Sequence, residues 1–151
     1  MPKQMTLCII YDDSNILLGM KKRGFGEGRW NGFGGKVSDA ESAQQACVRE
    51  LHEEAGIEAQ DLKNRGKILF EFQDTGKQLE VHLFSASKYS GEPQESEEML
   101  PKVFNIKDIP YDNMWDDDKH WLPILLENNN IDGYFLFDAN DKVIKKEIKT
   151  Y

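Results

Sequence analysis

The chain has 151 residues, of which 39% are hydrophobic and 30% charged, proportions typical of one soluble domain with one core. Its net charge of −8 argues against binding a nucleic-acid polymer, because wrapping a DNA or RNA backbone needs clustered lysine and arginine. That charge does not exclude a free nucleotide held through a metal ion. No apolar run approaches the roughly 20 residues of a membrane helix, so we expect no membrane contact.

Features at the start of the chain favour the cytosol. Met1–Gln4 lacks the hydrophobic region and cleavage site of a signal peptide. Cys8 and Cys47 lie in apolar surroundings, and two such cysteines indicate buried reduced thiols rather than a disulfide framework.

The first segments predict two strands followed by a glycine-rich stretch. Met5–Tyr11 and Asn15–Lys22 are predicted strands joined by a turn at residues 12–14. Residues 23–29 are too rich in glycine to be regular and predict a mobile loop. Asn31-Gly32 is a turn signal, and Gly34-Gly35 allows the backbone to come close to a ligand.

The strongest helical segment is Ser42–Ala55. Ser38 or Asp39 is its predicted N-cap, and Gly56 ends it. An apolar stripe can pack on a sheet while the carboxylates beside it face a cleft. The stripe comprises Ala43, Cys47, Leu51 and Ala55.

The rest of the chain adds strands, loops and a second helix. Arg65–Gln73 and Leu79–Lys88 predict a hairpin, and Gly91–Pro101 predicts an acidic loop. The remaining predictions are a strand at Lys102–Ile106, a loop at Pro110–Asp117, a helix at Asp118–Asn128 capped by Asp118, and a closing hairpin of Tyr134–Phe137 and Lys142–Lys149. Because no repeat or linker interrupts the sequence, we expect a single domain over residues 1–151, built from α/β or α+β layers.

Three carboxylates in the long helix point to metal chemistry. Glu50, Glu53 and Glu54 stand at i, i+3 and i+4, which places them on one helical face. Like charges so placed repel, and a hard divalent cation such as Mg²⁺ or Mn²⁺ would remove the repulsion. Taken alone, the three glutamates are more typical of a solvated acidic face.

The wider pattern changes that interpretation. The run Gly35-x5-Glu41-x7-Arg49-Glu50-Leu51-x-Glu53-Glu54-x-Gly56-Ile57 fills every defined position of the Nudix box and resembles the Nudix hydrolase family. The resemblance implies hydrolysis of a nucleoside diphosphate linked to another group. It also implies an α/β/α sandwich with a mixed sheet.

The resemblance assigns roles to the acidic residues. Glu50, Glu53 and Glu54, with the Gly35 carbonyl, would hold Mg²⁺, for which Mn²⁺ could substitute. Glu50 is also a candidate general base, and Glu98 in the acidic loop could share that role or add a metal ligand.

Basic residues complete the predicted catalytic machinery. Arg49 would orient a glutamate by a charge-assisted hydrogen bond, with a surface ion pair as the alternative. Glu41 would fix the loop to the helix. Lys21 or Lys36 could touch phosphate, and a solvated surface role is equally open for either lysine.

A second resemblance points to the substrate. The run from Leu17 to Val37 resembles the branch of the Nudix family that hydrolyses oxidised purine nucleoside triphosphates in animals. The likeness continues at residues 70–72, 81–82, 93–99, 109–110, 114–115, 117–118 and 133–135. It implies cleavage of 8-oxo-dGTP and 2-oxo-dATP, and of methylated purine triphosphates as further candidates, to monophosphate and pyrophosphate. This activity would sanitise the nucleotide pool. We expect a monomer in the cytoplasm, with the nucleus and mitochondrial matrix as further compartments.

A purine needs flat apolar walls and a polar edge. Phe25, Phe70 and Trp115 are candidate walls, with core packing as the alternative. Phe72 and Trp121 are further candidates. Asn31 offers a donor and an acceptor from one amide. Thr6, Gly34 and Gly35 would lie near the substrate by resemblance.

Asp117 and Asp118 are the candidate readers of the base. Two adjacent carboxyls in an apolar pocket cannot both ionise cheaply, so one would keep its proton. The pair would then present a donor and an acceptor, which match O6 and N1–H of 8-oxoguanine. Moving the proton would match 2-oxoadenine. The alternative is two solvated loop aspartates. Asp116 departs from the vertebrate pattern, which has proline there, and makes the loop more acidic.

Two other functions remain open. A Nudix hydrolase of ADP-ribose, dinucleoside polyphosphates or capped RNA would share the box, but the Asp117–Asp118 pair favours oxidised purines. A Nudix-fold binding module without catalysis would not need the complete glutamate set.

Overall fold

A mixed eight-stranded sheet forms the centre of the molecule in the computed structural model, which describes residues 1–151. The strands are β1 (Lys3–Tyr11), β2 (Asn15–Lys21), β3 (Trp30–Asn31), β4 (Glu58–Ala59), β5 (Lys63–Phe72), β6 (Gln78–Ala86), β7 (Tyr89–Ser90), β8 (Met99–Asn105), β9 (Ile131–Phe137) and β10 (Val143–Thr150). The helices are α1 (Ala43–Ala55) and α2 (Asp118–Leu126), with short 3₁₀ turns at Ile106–Asp108 and Tyr111–Asn113.

The sheet order is β10-β9-β5-β6-β1-β2-β3, with β8 also paired to β2. The pairs β1–β6 and β5–β9 are parallel, and the other pairs in this sheet are antiparallel. A separate two-stranded sheet joins β4 to β7. Both predicted hairpins, β5–β6 and β9–β10, are confirmed.

Strand alternation sends successive side chains to opposite faces of the sheet. On β1, Ile9 belongs to a core of 16 buried residues that includes Trp121 and Leu122 of α2. Its neighbours Cys8 and Ile10 belong to a second core, which includes Cys47 and Leu51 of α1. The helices therefore lie on opposite faces, which confirms the predicted α/β/α arrangement. Cys8 and Cys47 are buried and unpaired, as predicted.

The helix caps differ from the predictions. Ser42, not Ser38 or Asp39, caps α1: its hydroxyl accepts from the Gln45 backbone N–H, and the Gln45 side chain accepts from the Ser42 N–H. Gly56 ends the helix at φ +69, as predicted. Asp118 is the first residue of α2 rather than its cap, and Asp117 at the N-cap position makes no side-chain capping bond.

The observed boundaries of other elements differ from the predicted ones by a few residues. The predicted acidic loop ends before Met99, because β8 pairs with β2 from Met99↔Lys21 onward. The predicted turn at Asn31-Gly32 is wrong. Trp30 and Asn31 pair with β2, and the chain continues along β1 through bridges at Phe33 and Lys36. No helix has both the length and the apolar character needed to cross a membrane.

Candidate active site

A cavity of about 220 Å³ joins the aromatic face of the sheet to the start of the Gly34-Gly35 segment. Drug-sized ligands usually occupy roughly 300–1,000 Å³, so this cavity suits a base rather than a whole nucleotide. All ten residues predicted to bind substrate line it: Thr6, Lys21, Phe25, Asn31, Gly34, Gly35, Phe70, Trp115, Asp117 and Asp118. The structure thus brings together residues that are up to 112 positions apart in the sequence, from Thr6 to Asp118.

Aromatic rings supply the apolar walls. Phe25 stacks on Trp115 with ring centroids 5.0 Å apart, and Phe72 meets both rings edge-on. Trp121 is fully buried in the core and does not line the cavity. Its indole N–H instead donates to Asp117 Oδ2 at 2.6 Å. Trp121 is therefore not a wall of the pocket but a support for the Asp117 carboxyl.

The Asp117–Asp118 pair is buried in the cavity wall. Each residue is 3% exposed, which excludes the alternative of solvated loop aspartates. Burial raises the pKa of Asp117 to about 6. Burial, followed by the negative charge of Asp117, raises the pKa of Asp118 well above its ordinary value. Asp118 Oδ2 has no hydrogen-bond partner. Both shifts favour a protonated carboxyl in the pair, and Asp118 Oδ2 is a free polar atom beside the cavity.

Asn31 and Thr6 are held by the backbone around them. Asn31 Oδ1 accepts the Gly32 N–H at 2.8 Å, which leaves the amide NH₂ available as a donor. The Thr6 N–H donates to the Gly35 carbonyl at 2.8 Å. The Thr6 hydroxyl also donates to this carbonyl, the predicted metal ligand, at 3.5 Å.

Glycines allow the backbone to approach the carboxylates of α1. A Cβ at Gly34 would lie 1.9 Å from the Thr6 carbonyl oxygen, and one at Gly35 would lie 2.7 Å from Glu50 Oε1. Either contact is too short for a side chain. The Gly34 N–H donates to Glu54 Oε1 at 2.9 Å. Residues 34–35 therefore join the cavity to the acidic face of α1.

Glu54 is the carboxylate at this junction. It is 3% exposed and lines the cavity. Burial raises the pKa of Glu54 to about 8, with Glu50 adding to the rise and the Gly34 N–H opposing it. Burial also raises the pKa of Glu50, partly offset by Arg49. Buried carboxylates whose charged form is disfavoured are groups that a cation would stabilise.

Arg49 orients the other acidic side chains, as predicted. It donates to Glu41 at 2.6 Å, to Glu50 at 2.9 Å and to Glu53 at 3.2 Å. Glu41 also accepts the Ser38 N–H, which fixes the loop to the helix. Arg49 lowers the pKa of Glu41 to about 2.

The structure does not gather three carboxylates into one cluster. Arg49 holds Glu50 and Glu53, Glu53 is largely exposed, and Glu54 faces Gly34. The oxygen donors of Glu50, Glu54 and Gly35 nevertheless suit a hard cation, because two are desolvated carboxylates and the third is a backbone carbonyl of a residue that Glu50 approaches closely. The metal assignment of Glu50, Glu53, Glu54, Gly35 and Glu98 stays a prediction.

Glu98 is held by lysine and arginine. It forms ion pairs with Lys21 at 3.1 Å and with Arg23 at 2.7 Å, and hydrogen bonds from Arg23 and Lys21 lower its pKa. It does not line the cavity, whereas Lys21 does. Lys36 is exposed and outside the cavity, so Lys21 is the better placed of the two candidate phosphate contacts.

The Asp116 side chain is held by two partners. Its carboxylate accepts the Val143 N–H at 2.8 Å and pairs with Lys119 at 3.0 Å. The segment before α2 is thereby tied to β10.

Sequence reasoning missed several apolar lining residues. Leu79 and Phe137 lie across from Phe70 and Phe72 in the sheet register, and both line the cavity. The pairing of the predicted strands would have identified them, but sequence alone does not fix which strands are neighbours. The other lining residues that sequence reasoning missed are Met5, Leu7, Gly26, Gly32, Val81 and Met99.

The sheet between two helices, with a buried glutamate of α1 at the mouth of an aromatic cavity, defines the class of protein. The NUDIX domain family matches residues 1–125, and the chain belongs to that family as a Nudix hydrolase. Nudix hydrolases generally use divalent metal ions.

Two animal proteins are similar over nearly the whole chain. Oxidized purine nucleoside triphosphate hydrolase of Danio rerio is 45% identical over 146 residues, covering 97% of this chain and 94% of the relative. The protein of the same description from Mus musculus is 43% identical, covering 95% and 92%. Among solved structures, a MutT protein from Bacillus halodurans superimposes with a TM-score of 0.86 over 97% of each chain. Its identity of 24% shows the fold alone.

Proposed function

We propose that this protein hydrolyses oxidised purine nucleoside triphosphates, 8-oxo-dGTP and 2-oxo-dATP among them, to the monophosphate and pyrophosphate. The observation that carries the proposal is the Asp117–Asp118 pair, which is buried and lines the same cavity as Glu54 and Gly35. One cavity thus joins a base-reading edge to the acidic face of the Nudix box. The similarity to two animal hydrolases of oxidised purines supports the same substrate class.

The aspartate pair suits an oxidised purine because it offers both kinds of hydrogen-bonding group. Burial and the charge of Asp117 raise the pKa of Asp118 well above its ordinary value, so in this proposal Asp118 carries the proton and donates to O6 of 8-oxoguanine. Asp117, with a pKa of about 6, is mostly ionised at pH 7 and can accept from N1–H. Exchange of the proton between the two carboxyls would serve the different edge of 2-oxoadenine.

The residues of α1 would act on the triphosphate. Mg²⁺, for which Mn²⁺ can substitute, would neutralise phosphate oxygens and lower the pKa of water. Glu50, Glu53, Glu54 and the Gly35 carbonyl would hold it. Glu50 is our candidate base, because Arg49 fixes its carboxylate at 2.9 Å while leaving it half-buried at the site. Lys21 would contact phosphate and leave Glu98 free to assist.

The remaining expectations concern the cell. We propose that the protein acts as a monomer on a small-molecule nucleotide, without a nucleic-acid polymer or membrane as partner. Its compartments would be the cytoplasm, the nucleus and the mitochondrial matrix, where deoxynucleotide pools are used.

A substrate panel tests the proposal. Steady-state rates would be compared for 8-oxo-dGTP, 2-oxo-dATP, a methylated purine triphosphate, dGTP, ADP-ribose and capped RNA in Mg²⁺. We expect the oxidised triphosphates to have the highest kcat/KM and to release pyrophosphate. A preference for ADP-ribose or capped RNA, or direct release of orthophosphate without added pyrophosphatase, would overturn the assignment.

A further inference from the structure

The guanidinium of Arg29 lies against the ring of Trp115, one wall of the cavity. The Arg29 Cζ atom is 4.3 Å from the ring centroid, within the range of a cation–π contact. Arg29 also pairs with Asp141 at 3.4 Å, in the turn between β9 and β10. Arg29 itself does not line the cavity, so any effect on the substrate must pass through Trp115.

The backbone of Arg29 is anchored at the end of β2. The Lys21 N–H donates to the Arg29 carbonyl at 3.1 Å, and the Lys21 carbonyl accepts the Gly28 N–H at 2.9 Å. Phe25, by contrast, stands at the tip of the same loop and is 55% exposed. This loop places two side chains, Phe25 and Arg29, on Trp115. Of the two, Arg29 is the one whose backbone is hydrogen-bonded to a strand.

The partner of Arg29 is anchored as well. Asp141 has φ +60, and its N–H donates to the Asp138 carbonyl at 3.1 Å within the turn. Two residues further on, the Val143 N–H donates to Asp116, the neighbour of Trp115. Trp115 is thus held from its backbone side through Asp116 and from its ring side through Arg29.

The position of Trp115 bears directly on the aspartate pair. The Trp115 carbonyl accepts the Asp118 N–H at 3.1 Å, at the start of α2. A rotation of the indole that moved this backbone would also move Asp118. Trp115, as a wall of the pocket, and Asp118, at its polar edge, therefore depend on the same short segment, residues 115–118.

We propose that Arg29 is a positioning residue for base recognition. Its guanidinium, held by Asp141, lies over Trp115 and fixes the indole where it forms one wall of the purine pocket. We expect the role to need a guanidinium, because its extended planar group can contact the ring and Asp141 together, whereas an ammonium is a compact point charge. The inference rests on the proposed function, since it assumes a purine in this cavity.

Direct binding of the product nucleotide tests the role. The dissociation constant of 8-oxo-dGMP would be measured by calorimetry in a chelator for wild type, Arg29→Ala, Arg29→Lys and Asp141→Asn. We expect Arg29→Ala to weaken binding about fivefold or more, and Arg29→Lys to weaken it nearly as much. Asp141→Asn, which keeps the guanidinium but removes the charge that holds it, should weaken binding about twofold. Lys142→Ala removes one positive charge from the same turn and should bind as wild type does.

Kinetics separate positioning from catalysis. With 8-oxo-dGTP we expect Arg29→Ala to raise KM by a similar factor while kcat stays within about twofold. Wild-type affinity in Arg29→Lys would show that charge suffices and overturn the stacking role, even if Arg29→Ala failed to fold. A fall in kcat at unchanged affinity would overturn it too. Absence of 8-oxo-dGMP binding by wild type would overturn the proposed function itself. Equal binding by wild type and Arg29→Ala would overturn only the positioning role of Arg29.

Discussion

Glu54 combines three properties that rarely occur together in one side chain. It is buried, its pKa is raised to about 8, and its carboxylate accepts one hydrogen bond, from the Gly34 backbone N–H. A structural role would be served as well by an uncharged side chain. A buried carboxylate of this kind is instead suited to a cation, which stabilises its charged form.

Replacing this carboxylate with its amide tests the metal assignment. In Glu54→Gln the amide oxygen can still accept the Gly34 N–H, so we expect the fold to survive while the negative ligand is lost. Turnover of 8-oxo-dGTP should fall by about 100-fold or more, as for other groups that stabilise transition-state charge. Titration with Mg²⁺ would measure kcat at saturation, with exposed Glu58→Gln as the control. Near wild-type turnover at saturating Mg²⁺ would show that Glu54 is not a metal ligand.

Base selection depends on the proton shared by Asp117 and Asp118. Asp117→Asn fixes one donor–acceptor arrangement and ends the proton exchange, so the two oxidised purines should respond differently. We expect the ratio of kcat/KM for 8-oxo-dGTP over 2-oxo-dATP to change about tenfold or more, equivalent to about 1.4 kcal/mol. A two-substrate comparison at neutral pH measures it. Glu54→Gln should lower both rates in parallel, and unchanged ratios in both Asp117→Asn and Asp118→Asn would remove the pair from base recognition.

At the scale of elements, the cap of α1 shows where local sequence is ambiguous. Ser38, Asp39 and Ser42 are all residue types that cap helices. Ser38 and Ser42 each donate their N–H to a side chain three residues later, Glu41 or Gln45. The Ser42 hydroxyl also accepts the Gln45 backbone N–H, whereas the Glu41 N–H donates to the Ser38 carbonyl, so Ser42 is the cap. Ser42→Ala should therefore lower the free energy of unfolding by about 1 kcal/mol, measured by urea denaturation. Asp39→Ala should change it by less than about 0.5 kcal/mol, and an equal loss in both variants would contradict the assignment.

The sequence predictions are accurate where an element is determined by residues close together in the sequence. They fail where it is determined by pairing with distant strands. The long strands and α1 were placed to within a few residues, because alternation and helical periodicity are written locally. The turn predicted at Asn31-Gly32 failed, because pairing of this segment with β2 and β1 outweighs its turn propensity. The limits of β8 failed for the same reason, since its register is set by β2.

The same distinction applies to the candidate site: its residues could be predicted from the sequence, whereas the contacts between them could not. The resemblance predicted the acidic residues and the base contacts, and every predicted substrate contact lines one cavity, although its contact with a base stays a prediction. What could not be predicted is geometry, such as the contacts of Arg49 with both Glu50 and Glu53 or the position of Arg29 over Trp115. Such contacts join loops that are distant in sequence, so no local pattern reports them.

At the scale of the whole molecule, the site makes stability depend on pH. The pKa values of Asp117 and Asp118 are raised in the folded state, so the folded protein binds more protons than the unfolded chain above about pH 4. Their contribution to stability is complete below the unfolded pKa and is lost as pH rises through the folded pKa. Glu41 has the opposite sign: its pKa is lowered to about 2, so its contribution is lost as pH falls below about 4.5. The two windows meet near pH 4, between the unfolded pKa values of aspartate and glutamate, so the summed contribution of these groups should be greatest there.

The free energy of unfolding of the metal-free protein should therefore decrease from pH 5 to pH 7.5. A carboxyl with a folded pKa near 6 loses about 1.4 kcal/mol over that interval, and Asp118 adds to the loss. Urea denaturation in a chelator at a series of pH values would measure it. The double variant Asp117→Asn/Asp118→Asn removes both titrations, so its decrease should be smaller by at least about 1.4 kcal/mol. At pH 7.5 the variant should also be more stable than wild type, because it no longer buries a negative charge, while binding of 8-oxo-dGMP is lost. Parallel pH profiles for the two proteins would show that the pair does not carry a proton that is lost on unfolding.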